Sequence, residues 1–527
     1  MTAVRTRRGR PPAPVTDLPA PDGYDYNPET RVGWLMRGWR LANMPGSNAR
    51  KFADLLVARG VSADASRVSR WETGLVPAPI EVVEAYEDLL DLPPGGLLGV
   101  TTYQRRVASG MRDQQIVYGP DRVAPERLER ALDVVHDGDP SGRDWFELGM
   151  SASTLRERLV LPSSVWRRLA SRVVRELGRS VGNAYVSRVE GAILLTRHPG
   201  ASRALVHAVE EHVTSPDNLV LTDPLALLSE IEGPEAGDLV LRLFEQPEPL
   251  LRNAAAWVCA GKIKRGHFDT AQLLRLEHAT ARIVLQHGPE VLPRVGELVA
   301  VLPGPARERV LGLASRRGGS PLPPAEEPTT GAVRVVALDV VNATRDRRGS
   351  EDPIYARLVE RALSDDIGDH RFLAAFTLKV SVRRSEAAAA CAEFVRRHVD
   401  GETVLDGQSL FRLMKVLSVI GEEAEREVLM RVIQGDDQAI VPLALACLAH
   451  LPRTAPGVPG LERLVHAESD TVARAALYCA GMTADPVLLR AADDIRLPDW
   501  RRRGARWWIK QDGAIHEPAS NEARTTR

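Results

Sequence analysis

Between Val32 and Leu92, apolar residues recur at intervals of three and four in four short blocks, the spacing of helices with one buried face. Val32, Leu35, Met36, Trp39 and Leu41 share the first face, which also carries Arg37 and Arg40. Phe52-Ala53-Asp54-Leu55-Leu56-Val57 starts a second helix, stopped at Gly60. Asp64 to Thr73 makes a third, with Ser62 or Asp64 placed to cap it and Gly74 and Pro77 ending it. Ile80–Leu92 is the fourth, with Val82, Val83, Tyr86, Leu89 and Leu90 inward. On the third helix Val68 and Trp71 face one side, while Ser66, Arg67, Ser69 and Arg70 lie largely on the other. Pro93-Pro94-Gly95-Gly96 then marks a boundary. Residues 101–165 are mixed, with a loop at 136–142; beyond them helix-period segments alternate with short polar breaks almost to the end.

That long stretch repeats itself. Ala255-Ala256-Trp257-Val258-Cys259-Ala260-Gly261 returns as Ala475-Ala476-Leu477-Tyr478-Cys479-Ala480-Gly481, with weaker copies at 443–449 and 374–378. Cys447 and Cys479 are 32 residues apart, and Leu378 precedes Cys447 by 69, about twice that. A period in the thirties with Ala-rich helices is what stacked helix pairs produce, because small residues let neighbours approach closely. Acidic turns precede several of these helices, at Asp365-Asp366 with Asp369, at Asp436-Asp437 and at Glu468-Ser469-Asp470, where they favour helix N-termini. The pattern resembles HEAT-type repeats over roughly 235–510, with Arg316–Thr330 as a linker inside the array.

Composition narrows the class. The chain of 527 residues has a formal net charge of -1, with 44% hydrophobic, 26% charged and only 5% aromatic residues. That balance belongs to a globular protein rather than a uniformly basic nucleic-acid coat protein, and it disfavours an all-β fold. Lysine occurs only as Lys51, Lys262, Lys264, Lys379, Lys415 and Lys510, so nearly all positive charge is arginine. Cys259, Cys391, Cys447 and Cys479 are far apart in apolar runs, which argues for reduced, buried thiols and against a zinc site or disulfide framework. Gly9-Arg10-Pro11-Pro12 follows Arg7-Arg8 where a secretory signal needs an apolar run, and apolar runs fall far short of the ~20 residues of a membrane span. A soluble, cytoplasmic protein is expected.

Residues 31–92 carry the most specific signal. Arg37-Gly38-Trp39-Arg40, then Phe52-Ala53, then Val68-Ser69-Arg70-Trp71-Glu72-Thr73-Gly74, and a last amphipathic helix ending in Leu89-Leu90-Asp91-Leu92-Pro93, together resemble the Cro/C1-type (XRE) helix-turn-helix family. The resemblance covers about one eighth of the chain. It implies a structural pair between Arg40 and Glu72, and recognition positions at Ala65, Ser66, Ser69 and Arg70, with Arg67 as a phosphate or base contact. Arg50 and Lys51, opening the second helix, are expected on the same DNA-facing surface. The loop Asn43–Asn48 is about two residues longer than the family's usual one, the turn before the third helix is similarly extended, and Ala49 stands where a Gln is common. Independently of the family, Arg31, Arg37, Arg40, Arg50, Lys51, Arg59, Arg67 and Arg70 outnumber Glu29, Asp54, Asp64 and Glu72 over 29–74. Phosphate binding needs such a local excess.

The segment before this module, rich in Arg and Pro, is expected to be a flexible basic arm. Within it Arg8-Gly9-Arg10-Pro11 matches the core of an AT-hook, a minor-groove element; a generic arm touching phosphates is the alternative for Arg8 and Arg10. Residues 169–190 echo the first module and leave open a second, degenerate helix-turn-helix, with packing helices at the start of the array the better reading. Trp500–Lys510, basic and aromatic, reads as a terminal cap with Trp rings inward and Arg outward, or else as a second binding surface. His207 and His212 lack the spacing of a metalloprotease helix, and Gly261-Lys262 lacks the Ser/Thr and the earlier glycine of a phosphate loop.

The expected architecture is therefore all-α: a disordered arm at 1–28, a helix-turn-helix bundle at 29–100, a helical connecting region at 101–234, a HEAT-like solenoid at 235–512 and a disordered tail at 513–527. The expected function is that of a bacterial-type, sequence-specific DNA-binding transcriptional regulator, without enzymatic activity, metal or cofactor. Double-stranded DNA is the expected partner, with a protein partner or self-association on the solenoid and a homodimer implied by the family resemblance. The alternative is a solenoid scaffold of a multiprotein defence or DNA-maintenance assembly that uses the helix-turn-helix for docking.

Overall fold

The computed structural model describes residues 26–109, 125–156, 158–287, 293–316, 329–345, 352–435, 437, 439–451 and 457–517. Among them the chain is helical throughout, and one parallel bridge between Ser180 and Ile515 is the only β pairing. The fold is an all-α bundle followed by a helical-repeat array. No helix of the described residues is long and apolar enough to cross a membrane.

The bundle comprises α1 (Pro28–Asn43), α2 (Ala49–Ala58), α3 (Ala65–Glu72), α4 (Ile80–Leu89) and α5 (Gly96–Ala108). Asn27, Asn48 and Asp64 cap the first three, each side chain accepting a backbone N–H of the first turn. Val32, Leu35, Met36, Phe52, Leu56, Val68, Trp71, Val83 and Tyr86 form the core. Leu41, expected inward, is 47% exposed, because Arg40 takes the inward position at that turn. Leu89 is only half-buried. The expected boundary at Pro93–Gly96 is the turn between α4 and α5, and the expected domain edge near residue 100 falls inside α5. The buried Glu87 carboxylate accepts the Gly95 and Leu98 amides at 2.9 and 2.8 Å, tying α4 to α5.

The array starts earlier than residue 235. Helices α6 (Pro125–Asp137), α7 (Gly142–Thr154), α8 (Ser163–Leu177), α9 (Asn183–Leu195), α10 (Pro199–Thr214), α11 (Thr222–Glu230), α12 (Pro234–Phe244), α13 (Pro249–Arg265), α14 (Thr270–His287), α15 (Pro293–Val301) and α16 (Gly304–Arg316) share one core running from Leu128 to Val310. A second core belongs to α17 (Gly331–Arg345), α18 (Pro353–Ser364), α19 (Gly368–Lys379), α20 (Arg384–Val399), α21 (Gly407–Ile420), α22 (Arg426–Gln434), α23 (Val441–Ala449), α24 (Leu461–Val465), α25 (Asp470–Thr483), α26 (Val487–Asp493) and α27 (Asp499–Ile509). The two cores divide around the expected linker, of which 317–328 lies outside the described residues.

Stacking follows two rows, as HEAT-like pairs do: α11 on α13 on α15 beside α12 on α14 on α16, and later α19, α21, α23, α25 and α27 in succession. The repeated Ala-Cys motif is the buried seam of this stacking. Cys259, Cys391, Cys447 and Cys479 are all buried free thiols, and burial pushes Cys447 and Cys479 up to about 12. Gly481 closes its copy because a Cβ there would sit 1.9 Å from the Trp508 ring. Trp508 is therefore inside, as expected of a cap, but so is Arg501, which donates to the Val465 carbonyl at 2.8 Å. Lys262 is likewise buried and donates to the Leu228 and Ile231 carbonyls at 3.1 and 2.6 Å, closing the end of α11.

The second half of the array folds back on the bundle. Trp39 Nε1 donates to the Val380 carbonyl at 2.7 Å, Trp34 Nε1 to Asp352 at 3.1 Å, and Gln104 Nε2 to Thr377 Oγ1 at 2.5 Å. Phe376 and Val380 join the bundle core. Of the two expected disordered ends, residues 26–28 and 513–517 are ordered here, while 1–25 and 518–527 lie outside the described residues. Tyr26, placed in the arm, is buried with the Arg31 guanidinium 3.7 Å over its ring and that of Arg361 5.1 Å away. In the tail, the Val181 amide donates to the Ile515 carbonyl at 3.1 Å, and Glu517 accepts from Arg188 at 2.6 Å. A polar tail orders when its acid meets a buried cation, and composition alone does not reveal that partner.

His450 sits between α21 and α25, with Nδ1 2.9 Å from the Ser418 carbonyl and Nε2 2.8 Å from the Tyr478 hydroxyl. This pairing suits a neutral ring that donates at Nδ1 and accepts at Nε2, and burial lowers its pKa to about 4. A histidine depressed in the folded state adds stability above its unfolded pKa of about 6.5 and loses it as pH falls toward 4. Relative to His450→Gln, the wild-type chain is expected to lose roughly 2 kcal/mol between pH 6.5 and 4.5. Urea melts of both proteins at the two pH values read the difference; parallel losses would contradict the buried neutral ring.

Candidate nucleic-acid interface

The third helix owes its form to a cap at each end. Asp64 accepts the Arg67 amide at 2.8 Å, an interaction that lowers the Asp64 pKa, and Gly74 turns the chain away with φ +70°. Gly74 also meets α1 so closely that a Cβ would lie 2.4 Å from Thr30 Cα. Val68 and Trp71 are buried under α1 and α2, which leaves Ala65, Ser66, Arg67, Ser69 and Arg70 exposed on one outward face. Arg50 and Lys51, at the N-terminal end of α2, are exposed as well. The bundle is held to the array through α1, α4 and α5, and none of these contacts is made by α3.

Inside the module Arg40 and Glu72 meet as expected. The guanidinium donates from Nε at 2.5 Å and from Nη2 at 2.6 Å to the two carboxylate oxygens, with both side chains nearly inaccessible. Tyr86 adds a hydroxyl donor to Glu72 at 2.9 Å, and Arg40 Nη1 reaches the Ser47 carbonyl at 2.7 Å. The last contact pins the long loop between α1 and α2, so its extra length does not loosen the module. Glu72 raises the Arg40 pKa by the direct hydrogen bonds.

The two arginines of α3 differ in readiness. Arg67 folds back on the preceding turn, with Nη1 3.1 Å from the Ser62 carbonyl and 3.0 Å from its hydroxyl, and lies 4.0 Å from Asp64. Arg70 forms no ion pair or hydrogen bond through its side chain among the described residues. Of the eight cations counted from the sequence, Arg31 and Arg40 are buried and serve the fold. On the acidic side Glu72 is buried, and Glu29 is paired with Arg105 at 2.7 Å. What remains toward solvent is Arg37, Arg50, Lys51, Arg59, Arg67 and Arg70 against Asp54 and Asp64, a steeper excess than the sequence count suggested.

Two features escaped the sequence reading. Leu75 is 76% exposed, and Val76 beside it is also exposed, placing an apolar tip immediately after α3. Their apolarity signalled core, and only the Gly74 turn places them outside. A cleft of about 840 Å³ also opens beside the turn before α3, bounded by Arg59, Arg67, Trp71, Glu81, Arg127 and Arg143. Arg127 and Arg143 come from α6 and α7, distant in sequence, and are engaged by Glu147 and Asp88 at 2.5 and 2.7 Å.

Arg8 and Arg10 lie outside the described residues. The echo of the module at 169–190 does not repeat its geometry: α9 has no exposed residue from Asn183 to Leu195, and Arg188 and Glu190 are buried. Those helices pack within the array. Among the described residues no cluster of His, Cys, Asp and Glu has the makings of a metal site. No protein-family model matches the chain, and no curated protein matches it.

Proposed function

We propose that this chain is a cytoplasmic, sequence-specific DNA-binding regulator whose α3 enters the major groove. The observation that carries the reading is the outward face of α3: small residues Ala65, Ser66 and Ser69 flank Arg67 and Arg70, while Arg50 and Lys51 stand exposed at the start of the preceding helix. Small side chains admit a helix to the groove floor, arginine reads guanine edges bidentately, and flanking cations take phosphates. The long array serves as the surface for a protein partner or for self-association. Two copies joined through it would read an inverted repeat.

The direct contacts have separable signatures. Arg70→Ala is expected to cost about 1–3 kcal/mol on the preferred sequence and little elsewhere. Lys51→Ala should instead weaken all sequences alike and reduce the slope of log affinity against log salt by about one. Fluorescence anisotropy on short duplexes across a salt series measures both. Unchanged binding in both variants would contradict groove insertion by α3 and favour a scaffold role, in which the bundle, already docked on α19, serves as an internal brace.

A further inference from the structure

The cleft beside the turn into α3 lies where the bundle meets the array. Its walls come from the turn between α2 and α3, from α4, and from α6 and α7, and its volume of about 840 Å³ is that of a small-molecule site. Val61, Trp71, Pro79, Val82 and Ala85 give it an apolar wall. Trp71, Val82 and Ala85 also belong to the bundle core, so this wall is held by packing. Gly60, at φ +81°, turns the chain into the cleft without adding a side chain to it.

The charges along the cleft are unevenly paired. On the array side Arg127 donates to Glu147 at 2.5 Å and lies 3.4 Å from Glu84, and Arg143 donates to Asp88 at 2.7 Å. On the turn side neither cation has a carboxylate at hydrogen-bond distance. Arg59, which ends α2, is exposed and forms no ion pair or side-chain hydrogen bond among the described residues. Arg67 lies 4.0 Å from Asp64, and the Ser62 carbonyl and hydroxyl hold its guanidinium back over the turn. Both arginines line the cleft.

Two guanidiniums without acids, beside a packed apolar wall, suit an organic anion. The planar guanidinium fork matches the two oxygens of a carboxylate. Glu81, Glu84 and Asp88 line the same cleft from α4, which limits the negative charge a ligand can carry. A monoanion fits this balance, whereas a polyphosphate would meet three carboxylates.

We propose that the cleft binds a small organic carboxylate with an apolar body. Arg59 and Arg67 take the carboxylate, and the body lies against Trp71, Val82 and Ala85. One consequence rests on the DNA reading of α3. A ligand that holds Arg67 in the cleft withdraws it from the outward face, so ligand and DNA weaken each other's binding.

Isothermal titration of the full chain with naphthoate and with acetate tests the site, beside Arg59→Ala, Arg67→Ala and Arg37→Ala. Arg37, on α1, does not line the cleft and controls for diffuse charge. Naphthoate should bind the wild type at least about ten-fold more tightly than acetate, which lacks the apolar body. It should bind Arg59→Ala and Arg67→Ala about ten-fold more weakly, and Arg37→Ala as it binds the wild type. Arg59 and Arg67 are exposed, so thermal melts of these variants should match the wild type. Saturating naphthoate should also weaken binding to a duplex selected by the wild type, and leave Arg67→Ala unaffected. No binding of naphthoate to the wild type, equal binding of naphthoate and acetate, or undiminished binding by folded Arg59→Ala and Arg67→Ala would overturn the site. Naphthoate binding that leaves the affinity for that duplex unchanged would overturn the competition. If the wild type selects no duplex, the DNA reading falls, and the titration decides the cleft by itself.

Discussion

Glu72→Ala should destabilise the N-terminal bundle by about 3–5 kcal/mol, the cost of leaving a buried charge without its partner. Arg40 would remain enclosed with only the Ser47 carbonyl, and the Tyr86 hydroxyl would lose its acceptor. Arg40→Ala should do comparable damage for the reciprocal reason. Replacing both by leucine should cost less than either single change, because an apolar pair leaves no unpaired charge behind. Hydrogen exchange of the α3 amides reads the effect locally, which matters in a long array that need not unfold as one unit. DNA binding should fall with bundle stability in Glu72→Ala although this side chain faces inward. A loss below about 1 kcal/mol in the single variant would show that the pair does not hold the module together.

The second large effect is expected at the far end of the chain. Glu517→Ala removes two charge-assisted hydrogen bonds, one from Arg188 at 2.6 Å and one from the Gly142 amide at 2.6 Å. Such bonds are worth about 1.5–3 kcal/mol each, so a loss of about 3 kcal/mol is expected after the remaining Glu176 contact is counted. Arg188 keeps that partner at 2.9 Å, which limits the damage. Ending the chain at Gln511 should cost at least as much, since the Ile515 pairing with Arg179 and Val181 goes with it. Thermal melts of the two variants against the full chain decide the matter; identical melting would mean the tail merely lies on the surface.

These two ends show what the sequence makes legible. The bundle was readable because much of its information is local, in helix-spaced apolar residues with Asp64 and Gly74 as punctuation, while the Arg40–Glu72 pair across α1 and α3 was implied by the family resemblance. The array was readable as a class because its period survives in the Ala-Cys seam. Where one element meets another distant in sequence, no such signal exists. Nothing in the spacing of Trp39 foretells Val380, and nothing in a polar tail foretells that Glu517 finds Arg188. The same limit explains the surface: a count of charges over 29–74 treats Arg31 and Arg40 like Arg67 and Arg70, whereas burial divides them into two that build the fold and two that face solvent. Arg67 itself is tied to Ser62, whereas the Arg70 side chain has no such tie among the described residues, so under the proposed DNA reading Arg70 is the more immediate contact.

The most direct test of α3 as a DNA reader is selection of bound fragments from random duplex DNA, using the intact chain beside Arg67→Ala/Arg70→Ala. A defined motif, enriched by wild type and lost in the folded variant, is the predicted result, and its symmetry would report whether two copies bind together. Binding without any enriched motif, vanishing as salt rises and unchanged in the variant, would contradict sequence-specific readout by α3.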